Sequence, residues 1–149
     1  NLSERTGTGS VGLGSITALY TLLAEVDDLQ DPVVDLARAS LDGQVVLSRA
    51  LADAAHYPAI DLSGSISRLM PTIADIDNLN AANMFRRLWT LYQQNIDLIQ
   101  VGAYEMGTNP DLDRAISMRN VMEEFLRQPM DELVTFEDAI AQLRESMRV

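Results

Sequence analysis

The feature that most constrains the fold is a change of pattern at Met70-Pro71, which divides the 149-residue chain into two parts. Upstream of this point, short apolar runs alternate with a helical pattern, as in a parallel sheet with crossover helices. Downstream, apolar residues recur only at three- and four-residue steps, as in amphipathic helices that pack into a bundle. The sequence therefore predicts an α/β part followed by an all-α part.

Two apolar runs in the first part predict strands of a sheet that is buried on both faces. One extends from Ser15 to Glu25 and the other from Gln44 to Leu47. Between them, Asp31 is the predicted N-cap of a helix with Pro32 at its first position, which is a favoured helix start. A strand, a helix and a strand in this order form a parallel crossover unit. Two strands are too few for a self-sufficient buried sheet, so we expect further strands upstream of this chain.

The stretch from Gly43 to Arg68 carries the candidate functional residues of the α/β part. A short helix, predicted from Ser48 to about Ala55, leads to the dipeptide Tyr57-Pro58. The proline restricts the tyrosine before it to extended conformations. A loop rich in Ser and Gly is then expected to present Arg68. From the residues alone, Tyr57 is interpreted as a core tyrosine and Arg68 as a solvated surface charge.

Three helices are predicted in the second part. A long one extends from about Asp77 to Gln100, and Asn109-Pro110-Asp111 opens the next with a cap and a proline at its first position. Thr135 and Asp138 have the spacing of a capping box, which starts the last helix. Phe136 belongs to the predicted inward face of that helix. On this pattern alone, it is a core residue.

Charge and composition exclude several classes of function. A formal net charge of −11 speaks against binding nucleic acid through a phosphate-neutralising surface and favours a soluble protein with cationic partners or none. The chain has no cysteine and a single histidine, so we expect no thiolate or histidine-rich metal centre. Its longest apolar run, Ile16 to Val26, is too short to span a bilayer. The chain has neither an initiator Met nor a signal sequence at its start, and we interpret it as an internal fragment.

The segment LDGQVVLSRALADAAHYPAID, followed by SGSISRLM, resembles the second half of the nucleotide-binding domain of flagellar and type III secretion export ATPases. Those enzymes are similar to the catalytic subunits of rotary ATP synthases. The resemblance implies a partial RecA-like P-loop ATPase core over residues 1–72 and a C-terminal helical domain over residues 73–149. It implies that the chain is the C-terminal part of a hexameric enzyme that hydrolyses ATP to drive flagellar or type III protein export.

The resemblance also assigns roles to individual residues. It implies that Tyr57 packs against the adenine ring of a bound nucleotide and that Phe136 forms the opposite wall, with Gln128 and Pro129 lining the same pocket. Arg68 matches the arginine finger that reaches the γ-phosphate of ATP bound to the neighbouring subunit. A planar, permanently charged guanidinium suits a phosphoryl group that is acquiring charge.

Three acidic residues match a loop that faces the central stalk of the ring in the resembled family, namely Asp27, Asp28 and Asp31. From the residues alone they are a solvated turn and a helix cap. The partners implied are the other subunits of a homohexamer, the central-stalk and peripheral-stalk proteins of the export apparatus, secreted substrates and chaperones, with no nucleic acid. The implied location is the cytoplasm, at the cytoplasmic face of the inner membrane.

ATP and Mg²⁺ are the implied cofactors, and the P-loop and the Mg²⁺ ligands are expected in the missing N-terminal part. The glycine-rich loop from Gly7 to Gly14 has no Lys, so it is interpreted as a connector and the fragment alone is expected to be inactive. Two alternatives stay open: a catalytic subunit of a rotary ATP synthase, and a non-enzymatic helical module that binds secreted substrates or partners. The segment from Ala103 to Asp113 departs from the strongly acidic segment of the synthases, which puts ATP synthesis in doubt.

Overall fold

A computed structural model describes residues 6–10, 12–23 and 32–148. The strands in these ranges are β1 (Gly7–Thr8), β2 (Ser15–Ile16), β3 (Gly43–Leu47) and β4 (Ile60–Ser67). The helices are α1 (Pro32–Ser40), α2 (Arg49–Asp53), α3 (Met70–Ile73), α4 (Ile76–Gln94), α5 (Ile96–Gln100), α6 (Pro110–Leu126) and α7 (Phe136–Met147). The chain divides into two compact units, residues 1–44 and residues 45–149. The predicted order, an α/β part followed by a helical part, is confirmed.

In the first unit, β1 and β2 form an antiparallel pair with Gly7 opposite Ile16. The predicted buried strand from Ser15 to Glu25 is wrong over residues 17–23, which form no strand. Leu19 and Leu23 are 96% and 97% exposed. A strand buried on both faces needs a neighbour on each side, and in the described part of this unit β2 pairs only with β1.

In the second unit, β3 and β4 form a two-stranded sheet. Helix α2 begins one residue after its predicted start at Ser48, whose side chain caps the helix by accepting a hydrogen bond from the Leu51 N–H. The Ser- and Gly-rich loop predicted before Arg68 is wrong, because β4 continues to Ser67. Hydroxyl groups stabilise this strand: the Ser65 Oγ accepts from the Val46 N–H of β3 at 2.9 Å and donates to the Asp61 carbonyl at 2.6 Å.

Helix α4 forms the centre of the helical bundle and packs against both α6 and α7. Its buried side chains meet those of α6 in one core, in which Leu88 and Met122 are the largest fully buried residues. The Phe85 and Phe125 rings lie 5.2 Å apart between centroids. The single long helix predicted from Asp77 to Gln100 is interrupted at Asn95, whose side chain donates to the Leu91 carbonyl.

The predicted starts of the last two long helices are confirmed. Asn109 caps α6, since its side chain accepts from the N–H groups of Asp111 and Leu112. Thr135 caps α7 by accepting from the Asp138 N–H, and its hydroxyl donates to the Asp138 carboxylate at 2.7 Å. These caps satisfy N–H groups that have no partner within their own helix.

Helix α4 begins at a cap that also binds α7. The Asp75 carboxylate accepts from the Asn78 and Asp77 N–H groups, and Arg144 of α7 donates to it at 2.6 Å. The hydrogen bond from the Asn78 N–H, with a further contribution from Arg144, holds the pKa of Asp75 below its ordinary value. The lowered pKa means that folding favours the charged carboxylate. Its stabilising effect is therefore present above the unfolded pKa and is lost as the pH falls through the folded pKa.

The cap at Asp75 predicts a pH-dependent difference between two variants. Asp75→Asn retains a good N-cap acceptor and removes the charge, whereas Asp75→Ala removes both. At pH 6 we expect Asp75→Ala to unfold at the lowest temperature, by a margin on the order of a few degrees, with Asp75→Asn between it and the wild type. The difference between wild type and Asp75→Asn should shrink as the pH falls below about 4. Thermal unfolding followed by circular dichroism measures it, and a difference that stays constant down to pH 2 contradicts the assignment.

None of the helices in the described ranges combines the length and apolar character that crossing a bilayer requires.

Candidate functional site

Two hydrogen bonds, between consecutive residues of each segment, join the turn after α2 to the loop after α6. Arg127 Nε donates to the Nδ1 of His56 at 3.4 Å, and the Gln128 N–H donates to the Tyr57 carbonyl at 3.0 Å. The His56 side chain is buried, with 5% of its surface exposed. Tyr57 and Gln128, which sequence analysis assigned to one pocket, are therefore held side by side.

The Tyr57 ring is open to solvent although its backbone is held. Its side chain is 55% exposed, and its hydroxyl donates to the Ala52 carbonyl at 3.3 Å. The peptide bond between Tyr57 and Pro58 is cis. The interpretation of Tyr57 as a core residue is wrong. An exposed ring whose hydroxyl already has a partner can offer its face to a planar ligand.

Gln128 and Pro129 line a groove between α6 and α7 with a volume of about 1120 Å³. Apolar side chains such as Phe125 and Val134 contribute to its wall. The Gln128 side-chain amide donates to the Glu132 carbonyl at 2.9 Å, and the Glu132 N–H donates to the Pro129 carbonyl at 3.2 Å. These bonds close a turn that fixes the edge of the groove beside Tyr57.

Phe136 lies at the first position of α7 with 76% of its surface exposed, and it does not line this groove. The prediction that it faces the bundle core is wrong. The residues of α7 that pack against the core include Leu143 and Met147 in its second half, so its first turn lies beyond the packed region. The exposed ring is accessible to a ligand, as the role of second wall of an adenine pocket requires.

Arg68 immediately follows β4 and is exposed. A hydrogen bond spans Arg68: the Met70 N–H, which follows it, donates to the hydroxyl of Ser67, which precedes it, at 3.2 Å and forms a tight turn into α3. On its N-terminal side, Arg86 of α4 donates to the Ser65 carbonyl at 2.9 Å. The backbone on both sides of Arg68 is therefore held by hydrogen bonds.

Sequence analysis missed the contributions of Arg86 and Arg127. Arg127 could have been suspected, because it precedes Gln128 just as His56 precedes Tyr57. Arg86 gives no such local signal: it is one of two adjacent arginines in a helix, and its partner lies 21 residues earlier.

The acidic residues Asp27, Asp28 and Asp31 lie outside the described residues. Across residues 6–10, 12–23 and 32–148, no cluster of three or more His, Cys, Asp or Glu side chains could hold a metal ion. The whole sequence contains 11 arginines and no lysine.

The segment from Ala103 to Asp113 is a compact turn stabilised by its own carboxylate. The Tyr104 hydroxyl donates to Asp113 Oδ1 at 2.7 Å, and the Gly107 N–H donates to Asp113 Oδ2 at 2.9 Å. Desolvation, followed by the hydrogen bond to Asp113, raises the pKa of Tyr104, so its hydroxyl stays protonated as a donor. Asp111 is paired with Arg87. Two of the acids in this segment are thus occupied internally.

Both parts of the chain match models of known families. The nucleotide-binding domain of the ATP synthase alpha/beta family matches residues 1–67, and the T3SS EscN ATPase C-terminal domain matches residues 74–145.

Flagellar enzymes are among the relatives found by sequence. The chain is 51% identical to the flagellum-specific ATP synthase of Pseudomonas aeruginosa and 49% identical to that of Salmonella typhimurium. In both comparisons 95% of the chain is covered, against 32% and 31% of the relative. The chain thus spans about a third of the length of the curated relatives it matches.

Solved structures give the same result. The assembled ATPase EscN from the type III secretion system of enteropathogenic E. coli matches with a TM-score of 0.84 and 39% identity, over 89% of this chain and 32% of that one. EscN in complex with its central stalk EscO matches with a TM-score of 0.84 and 36% identity, over 96% of this chain and 33% of that one.

Proposed function

The chain belongs to the flagellar and type III secretion ATPases, which share the nucleotide-binding domain of the ATP synthase alpha/beta family, and we propose its function on this basis. In the whole protein, it forms the C-terminal part of a hexameric enzyme that hydrolyses ATP to drive flagellar or type III protein export. The observation that carries this proposal is the exposed Tyr57 ring held beside Gln128 by two pairs of residues. This arrangement supplies one wall and one edge of a base pocket.

In the proposed pocket, adenine stacks on Tyr57 and its edge faces Gln128 and Pro129. Phe136 provides the opposite wall, which its exposed ring at the start of α7 supports. Stacking of this kind contributes to affinity and orientation and does no chemistry. The pocket therefore orients the bound nucleotide, and with it the triphosphate.

Arg68 is the proposed catalytic residue of this chain. Its exposure beyond the end of β4 supports a role toward a neighbouring subunit. In that role the guanidinium binds the γ-phosphate of the neighbour's ATP and stabilises the charge that develops on the transferred phosphoryl group. Each active site would then be complete only in the oligomer.

ATP is bound with Mg²⁺ in the proposed enzyme. The described residues contain no carboxylate cluster for the ion, so we place its ligands and the P-loop in the rest of the whole protein. We place the boundary between the nucleotide-binding domain and the helical domain between residues 72 and 73, in the interval that separates the two family matches. The 149-residue chain has no lysine and therefore no P-loop lysine, so by itself it should not hydrolyse ATP.

The proposed partners are the other subunits of a homohexamer and the proteins of the export apparatus. The similar EscN structures are of an assembled ATPase and of a complex with a central stalk, which supports a ring with a stalk partner here. We place the stalk contact at Asp27, Asp28 and Asp31. Peripheral-stalk proteins, secreted substrates and chaperones complete the set, at the cytoplasmic face of the inner membrane.

Hydrolysis is favoured over synthesis by the segment from Ala103 to Asp113. Asp113 binds within the segment, and Asp111 is paired with Arg87. The segment has three acids, one of which is paired with a cation, so it carries less negative charge than the strongly acidic segment of the synthases.

The base pocket predicts a specific change in kinetics. In the full-length protein that contains this chain, we expect Tyr57→Ala to raise the KM for ATP by about threefold to tenfold, because a stacking contact is lost. Steady-state hydrolysis of Mg²⁺-ATP measures KM and kcat, and kcat should change by less than about twofold. Tyr57→Phe keeps the ring and is the matched control. A purified hexamer without ATPase activity, or an unchanged KM in Tyr57→Ala, would contradict the proposal.

A further inference from the structure

Arg68 follows the end of β4, which in the described part of the chain pairs with β3 alone. The last residues of β4 are exposed, including Ile66 at 53%. A two-stranded sheet has little intrinsic stability. If Arg68 acts on a neighbouring subunit, its backbone must nevertheless be held in place, because a shift of about 1 Å in a reacting group can lower a rate by about 100-fold.

Ser65, three residues before Arg68, is held from two directions. Its hydroxyl accepts from the Val46 N–H and donates to the Asp61 carbonyl, which fixes it within the sheet. Its carbonyl accepts a hydrogen bond from Arg86 Nη1 at 2.9 Å, which connects it to the helical bundle. The end of β4 therefore rests on a side chain of α4.

Arg86 stands on a rigid part of α4. Two residues near it along the helix, Phe85 and Leu88, are 3% and 2% exposed and belong to the bundle core. The Arg86 guanidinium is itself partly buried, and hydrogen bonds from a charged donor are stronger than neutral ones. The side chain that donates to the Ser65 carbonyl is therefore carried by a helix that is anchored in the bundle core.

We propose that Arg86 is a positioning residue for Arg68: it holds the end of β4 so that the Arg68 guanidinium meets the phosphoryl group of the neighbouring subunit's ATP. This inference rests on the role proposed for Arg68. Arg86 touches no substrate and acts only through the Ser65 backbone. The helical bundle thereby contributes to catalysis in trans by positioning Arg68.

The test uses the full-length protein and a double-mutant cycle. We expect Arg86→Ala to lower kcat by about tenfold to 100-fold while KM for ATP changes by less than about twofold, because binding in the same subunit's pocket does not involve Arg86. Arg86→Gln retains an amide donor and should lie between Arg86→Ala and wild type. The double variant Arg68→Ala with Arg86→Ala should be no slower than Arg68→Ala alone, since the residue to be positioned is already missing.

Arg87→Ala is the matched control, because Arg87 is the adjacent residue and pairs with Asp111 on the surface. It should keep wild-type kcat. Circular dichroism and size-exclusion chromatography establish that each variant is folded and hexameric, and Arg86→Gln carries the test if Arg86→Ala does not fold. A wild-type kcat in the folded Arg86 variant, or a double variant slower than Arg68→Ala by the full Arg86 factor, overturns the inference. Wild-type activity in Arg68→Ala would instead show that the proposed function of Arg68 is wrong.

Discussion

Arg68→Ala in the full-length protein is expected to lower kcat for ATP hydrolysis by about 10³–10⁵, the range that an arginine finger supplies in phosphoryl transfer. The loss should fall on kcat because the guanidinium stabilises charge that develops only in the transition state. Arg68 is exposed at the end of β4, so its removal leaves no cavity in the core. Arg68→Lys should also lose most of the activity, because an ammonium group lacks the planar pair of donors.

Steady-state kinetics on the purified hexamer measure this effect, with Arg87→Ala as the control for loss of one surface arginine. Hexamers assembled from mixtures of wild-type and Arg68→Ala subunits should lose one active site for each variant subunit that is added. A helical module that binds secreted substrates without catalysis would give a different result: Arg68→Ala would then keep the ATPase activity of the protein unchanged.

Leu88→Ala is expected to lower the free energy of unfolding by roughly 2–5 kcal/mol. Leu88 is 2% exposed at the centre of α4, where that helix packs against α6. The substitution removes buried methyl groups and leaves a cavity that the surrounding side chains fill only in part. Because domains of this size have a total stability of about 5–15 kcal/mol, this change removes a large share of it.

Urea denaturation of the 149-residue chain measures the change, which should appear in the midpoint with little change in the slope of the transition. Leu98→Ala is the matched control, because Leu98 lies on α5 with 49% of its surface exposed. Its effect should stay within about 0.5 kcal/mol. Equal effects of the two substitutions would show that the core does not lie where α4 meets α6.

The helix starts of this protein could be predicted from sequence because each depends on neighbouring residues. Asn109 before Pro110, Thr135 before Asp138 and Ser48 before α2 form their caps with N–H groups two or three residues away. The order of an α/β part and a helical part could likewise be predicted, since it depends on local periodicity.

The errors arose where the structure depends on distant partners. Residues 17–23 have the composition of a buried strand, but in the described part of the chain no strand pairs with them. The Ser- and Gly-rich residues before Arg68 were expected to form a loop, whereas the Ser65 hydroxyl pairs with Val46 and keeps them in a strand. Phe136 has the spacing of an inward residue, yet the helix turn that carries it lies beyond the packed core.

The candidate site could be predicted only as a set of residue types. The resemblance selected Tyr57 and Gln128, and the structure brings them together through bonds to each other's backbone and neighbours. The resemblance gave no indication of Arg86, because the hydrogen bond of this residue depends on how α4 lies against β4. That Phe136 completes the pocket stays a prediction. The KM for ATP of Phe136→Ala, measured as for Tyr57→Ala, tests it.

The pairing of His56 with Arg127 also determines when the proposed pocket can exist during synthesis. The two residues are 71 positions apart, and helices α3 to α6 lie between them, whereas α7 follows. At a translation rate of about 5–20 residues per second, Tyr57 leaves the ribosome roughly 4–14 seconds before the loop that stands beside it. The proposed base pocket can therefore form only after the chain has been synthesised through Gln128.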